Sequence, residues 1–188
     1  MSDTKAKEGV ELLRSNLIHS ATPNMKLAIE NKAPIAALVY SLALIDTMAG
    51  FFYGVEAKKQ AKGGDGVGIR YDKFIEKYMS PGCSQCNYSE LDLYRSLRCN
   101  MAHSLTPGHG QKGKYDFYLV ENSADKHGSK KTDRTIIFDV PTFCDDVLHA
   151  VDEFLYDVEQ SITKSQTSLL LDNFKGWWDK GYSILVSD

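Results

Sequence analysis

Residues 33–55 read APIAALVYSLALIDTMAGFFYGV, and the reading of this run decides the fold. It is long enough to cross a bilayer. Asp46 stands near its middle, and a carboxylate there opposes insertion by roughly 2.5–3.5 kcal/mol. Gly50, Gly54 and several small residues dilute the apolarity, and no basic cluster beside the run sets an orientation. The alternative is a helix that is apolar nearly all round because it is the centre of a helical core. Pro34 fits its first turn, where a missing N–H costs nothing. The expectation is therefore a long buried helix from Pro34 to about Lys58, with no membrane partner.

Working outward, Val10, Leu13 and Leu17 recur at helical spacing, so residues 5–18 are read as a helix that ends at Ala21-Thr22-Pro23-Asn24. Residues 25–31 could hold a short helical turn. Residues 59–69, KQAKGGDGVGI, form a Gly-rich connector; the string lacks GK[ST] and no strand precedes it, which argues against phosphate binding. Tyr71, Phe74, Ile75 and Tyr78 mark a short helix stopped by Ser80-Pro81-Gly82. Ser89-Glu90-Leu91-Asp92 is read as a capping box opening a further helix. Leu91, Tyr94, Leu97, Met101 and Leu105 line its apolar face up to Pro107-Gly108.

Two β-rich runs follow, Tyr115–Val120 and Thr135–Val140, with the polar stretch ENSADKHGSKKTDR between them. This pattern predicts a β-hairpin over about residues 115–140 lying against the helices, since two strands alone are marginal. Thr142 and Asp145 suggest a cap for a helix through Val158. A last helix carries Leu169, Leu170, Phe174, Trp177 and Trp178 and closes at Gly181. Trp178 is read as core, and Trp177 as exposed or in a dimer contact. No repeat or domain boundary is visible, so residues 1–188 are expected to form one mainly α domain, a helical bundle with an inserted hairpin.

The composition suits a folded chain: 43% hydrophobic, 25% charged, net charge -3. That charge argues against nucleic-acid binding over the whole surface but leaves room for one local phosphate site. The N-terminus lacks the apolar core of a secretory signal. Four cysteines are too few to staple a chain of this length. Together these predict a cytoplasmic setting.

Chemistry concentrates in Arg98-Cys99-Asn100-Met101-Ala102-His103. Arg is a permanent cation whose fork matches phosphate, and His moves protons near neutral pH. The two suit RNA cleavage without a metal or any other cofactor, with Arg offsetting charge on the phosphate. On an ideal helix, residues five apart stand roughly 140° apart around the axis. One helix alone therefore does not aim both at one phosphate easily, while two copies across a symmetry axis could. Arg95 could add a phosphate contact or pair with Asp92 on a wet face. Asp46, on an apolar helix, needs a partner, and Arg98 and His103 are the candidates, with a hydroxyl or helix end as the alternative.

Residues 93–104, LYRSLRCNMAHS, resemble the R-x4-6-H helix of HEPN domains, and ALVYSLALIDTMAGFF resembles the apolar helix that packs beside it. The order of helices agrees over roughly residues 5–160. The resemblance implies a homodimeric helical bundle acting as a metal-independent endoribonuclease, in a defence or toxin–antitoxin setting with an antitoxin or other protein partner. It makes His103 the proton-transfer residue and Arg98 the phosphate clamp. Some members are non-catalytic modules that bind RNA, nucleotide or protein. The family usually has a polar residue directly after Arg; here Cys99 is there, and Asn100, one later, could orient His103 or the phosphate.

A rival pattern uses the same His. Cys83-x2-Cys86-x12-Cys99-x3-His103 has zinc-finger spacing. Glu90 and Ser96 stand where a small finger needs an aromatic and a leucine, and a chain with a large core has little need of a metal staple. The remaining histidines, His19, His109, His127 and His149, are assigned no role. The basic run Lys126–Arg134 is read as a solvated loop that could touch RNA.

Overall fold

A computed structural model describes residues 2–54, 66–79, 86–104, 107, 113–164 and 168–181. The chain is mainly α, as expected. Helix α1 spans Asp3–Asn16, α2 Thr22–Glu30, α3 Pro34–Tyr53, α4 Gly66–Phe74, α5 Asn100–Ser104, α6 Val140–Thr163 and α7 Leu169–Gly181. Strands β1, Asp116–Val120, and β2, Thr135–Asp139, complete the set.

Helix α3 is the hub, packed against α2, α4, α6 and α7. Half of its most apolar window is buried in these contacts. Its C-terminal end feeds an aromatic cluster. Phe51 lies 5.0 Å from Phe174, and Phe52 makes edge contacts with Tyr78 and Phe154 at 5.4 and 6.5 Å between centroids. Edge and offset geometries add about 0.5–1.5 kcal/mol per pair beyond burial itself. The helix ends at Tyr53 because Gly54, at φ 70°, turns the chain into the left-handed region. The expected extension to Lys58, the connector residues 59–65, the stop at Ser80-Pro81-Gly82 and Cys83 lie outside the described residues.

Several local expectations are corrected. No break occurs at residues 21–24. Leu17–Ala21 form a π turn that leads straight into α2. The wider turn makes room for Pro23, whose ring would clash with a carbonyl in a regular helix. Ser89 and Asp92 do not form a capping box. Tyr88–Glu90 make a 3-10 turn, Ser89 Oγ donates to Asn87 Oδ1, and Asp92 is left-handed at φ 48°. The helix instead starts after Asp92. The cap of α6 is Asp139, not Thr142: its carboxylate accepts from the Thr142 backbone N–H and hydroxyl, at 3.1 and 2.8 Å.

The hairpin is also corrected. β1 and β2 pair in parallel, with Phe117 opposite Ile136. A hairpin does exist, but its first arm is residues 128–131. The Ile137 N–H donates to the Ser129 carbonyl at 2.8 Å, and the Lys131 N–H donates to the Thr135 carbonyl at 2.8 Å. Residues 121–134 are long enough for the return crossing that a parallel pair requires. The turn signals around Thr132 act inside this connection, leaving β1 to join the other edge of β2.

A buried polar chain ties the ribbon to the helices. The Asp139 backbone N–H donates to His127 Nδ1 at 2.9 Å, which leaves the ring proton on Nε2. Nε2 donates to Tyr88 Oη at 2.7 Å, and the Tyr88 hydroxyl donates to Asp146 Oδ2 at 2.5 Å. His127 is 3% exposed, and burial pushes its pKa below the usual value despite the nearby Asp146 and Asp139 charges. The histidine left without a role by sequence reasoning is thus a structural one.

Candidate functional site

Arg98 lies in Tyr94–Cys99, which winds as a π helix before the chain returns to α geometry in α5. Such turns are rare and concentrate where a helix must present particular side chains. Each residue of a π turn advances less around the axis than in an α-helix. The offset between Arg98 and His103 is therefore narrower than regular geometry gives. Ser96, fully buried, anchors the segment: its hydroxyl accepts from the backbone N–H groups of Lys114 and Tyr115 at 2.8 and 3.2 Å. Gly113, at φ 153°, lets the incoming chain pass against the Ser96 backbone, where a Cβ would overlap. The ribbon and the arginine-bearing helix are thereby held together.

Of the two partners considered for Asp46, the structure selects Arg98. Asp46 Oδ2 accepts from Arg98 Nη2 at 2.6 Å. A second cation, not anticipated from sequence, approaches the other oxygen: Arg70 Nη2 lies 3.4 Å from Asp46 Oδ1. The side chains of Asp46, Arg98 and Arg70 are 21%, 29% and 12% exposed, so the cluster is half-buried but reachable. For Arg98, burial opposes the charged form, and the Asp46 hydrogen bond and charge outweigh it, raising its pKa.

Both guanidiniums have aromatic backing. Arg98 Cζ sits 5.7 Å from the Tyr94 ring centre and Arg70 Cζ 4.7 Å from that of Trp177. These are cation–π distances, and they restrict where each fork can point. Trp177, expected at the surface or in a dimer contact, is half-buried over Gly50, and a Cβ there would overlap its ring. Tyr71, fully buried, lies 5.5 Å from Tyr94 in a tilted ring contact. Its hydroxyl and Arg70 Nε are buried without a hydrogen-bond partner among the described residues. Burial first, and the Asp46 charge second, push the Tyr71 pKa well above the usual value.

The other expected residues are dispersed. His103 is exposed near the end of α5. Asn100 is buried, and its Nδ2 donates to the Ser96 carbonyl at 2.8 Å. That bond serves the widened turn. Arg95 is exposed and makes no ion pair among the described residues. The zinc pattern does not assemble there: Cys86 is buried against Gly128, Cys99 is half-buried, and no group of three metal-ligating side chains converges. Cys83 lies outside the described residues. A cleft of about 290 Å³ lined by Asp72, Glu76, Asp92 and Tyr88 among others has three carboxylates, the wrong charge for a phosphate.

What the arginine cluster offers is net positive charge in a partly desolvated place. No protein-family model, curated protein or solved structure matches this chain.

Proposed function

We propose that this protein is a HEPN-type, metal-independent endoribonuclease acting as a homodimer. The observation that carries the reading is the Asp46–Arg98 ion pair, with the guanidinium only part-exposed and His103 exposed five residues on. Asp46 orients the fork, Arg98 holds the scissile phosphate and stabilises the charge that develops on it, and His103 transfers the proton. A shared site needs the two copies to meet near Asp46. Ala36, Val39, Tyr40 and Ala43 form an exposed apolar stripe on α3 at helical spacing that leads toward Asp46, a surface suited to self-association.

A second reading is a non-catalytic HEPN-like module that holds RNA without cutting it. It is favoured by Asn100, which is buried and donates to the Ser96 carbonyl. Purified protein incubated with single-stranded and structured RNA in EDTA separates the two. Cleavage that is lost in His103→Ala, with the fold intact, supports the nuclease. Binding without cleavage supports the module.

A further inference from the structure

Asp46 neutralises one guanidinium, yet two share it. Each guanidinium has five N–H donors. Among the described residues Arg98 commits one of them, and Arg70 one long contact. Among the described residues, Arg70 Nε is buried with no acceptor, and the adjacent Tyr71 hydroxyl is in the same condition. Buried cationic donors left unmatched are costly, and each calls for an explanation such as a functional role or a bound water or ion. The surplus is one positive charge with planar forks fixed on two aromatic rings, matching a tetrahedral oxyanion.

We infer that Arg70 is a second phosphate-holding residue, facing the same oxyanion as Arg98, with Trp177 as its positioning residue. The nature of the ligand, an RNA phosphodiester, rests on the nuclease reading; the two-arginine geometry does not. Trp177 acts by stacking on Arg70 while seated over Gly50, so no larger residue at position 50 leaves the fork in place.

The test titrates the full chain with inorganic phosphate by calorimetry at low salt, beside RNA cleavage measured in EDTA. Wild type is expected to bind phosphate saturably. Arg70→Gln should weaken this by about tenfold or more, the worth of one charge-assisted hydrogen bond. Arg70→Lys, which keeps the charge if the Gln variant folds poorly, should recover only part because it lacks the fork. In RNA binding measured on a His103→Ala background, Arg70→Gln should reduce the slope of log affinity on log salt by about 0.7, one single-strand phosphate contact. Equal phosphate affinity in wild type and Arg70→Gln, or no saturable binding by wild type, overturns the inference. If phosphate is held through both arginines but no RNA is cut, the nuclease reading fails and the anion site stands. If RNA is cut and Arg70→Gln cuts it with unchanged kcat and KM, the nuclease stands and Arg70 has no part in it.

Discussion

Two polar clusters in this protein, one buried around His127 and one half-buried around Asp46, differ in how their donors are matched. Around His127, every ring nitrogen and the Tyr88 hydroxyl has a partner, and the chain ends on a carboxylate. Around Asp46, among the described residues, donors outnumber acceptors, two cations share one anion, and two polar atoms are left over. A satisfied network rigidifies a fold, whereas an unsatisfied cationic one is poised for a ligand. The contrast separates scaffold from site more sharply than residue type does, since a histidine stands in the scaffold cluster and none touches the Asp46 carboxylate.

The strongest way to break that comparison is to remove the proton carrier. His103→Ala should lower RNA cleavage by about 10²–10⁴-fold in a single-turnover assay. Its melting temperature should stay that of wild type, because the exposed ring packs against little. An unchanged rate would place chemistry elsewhere. Next in size, Tyr88→Phe strips the middle of the His127 chain, leaving the Nε2–H without its acceptor and Asp146 without its tyrosine donor. It should destabilise the protein by about 1–3 kcal/mol in denaturant unfolding, with phosphate binding intact. Loss of phosphate binding would mean the two clusters are not separate.

Gly50→Ala sharpens the comparison from the other side. The new methyl overlaps Trp177, so overpacking should cost about 1–3 kcal/mol. Because Trp177 carries Arg70, phosphate affinity should fall too, whereas a purely structural Trp177 would give the stability loss alone. The smallest effect is acid sensitivity. His127 has a folded pKa below its unfolded value of about 6.5. Above that pH both states are neutral at this ring and it contributes no pH dependence. As pH falls below it, the unfolded chain takes up a proton that the folded chain resists, so stability declines. Thermal melts between about pH 6.5 and 5 should show this decline, and His127→Gln should flatten it.

Much of the architecture was legible because helical periodicity is a local property of a segment. The apolar run around Asp46, the α6 stripe from Val147 to Val158 and the burial of Trp178 all follow from which residues recur on one face. Turn chemistry was legible too, but it was assigned to the wrong strands: the turn at Thr132 closes a hairpin inside the connection, and β1 joins in parallel. Local signals say that a chain reverses, not which neighbour it then meets. The capping residues around Ser89 misled for a related reason, since Asp92 turns the backbone left-handed and delays the helix.

Of the candidate site, sequence by itself determined that Asp46 needs a polar partner and that an arginine and a histidine stand five apart on one helical segment. That follows from the cost of a lone carboxylate among apolar side chains. Tertiary structure alone decided that the partner is Arg98, that Arg70 and Trp177 join it from α4 and α7, that Asn100 turns inward, and that His127 is buried in the scaffold. Those outcomes depend on which faces of distant segments meet and on whose donors find acceptors across them. No spacing within a single segment encodes either.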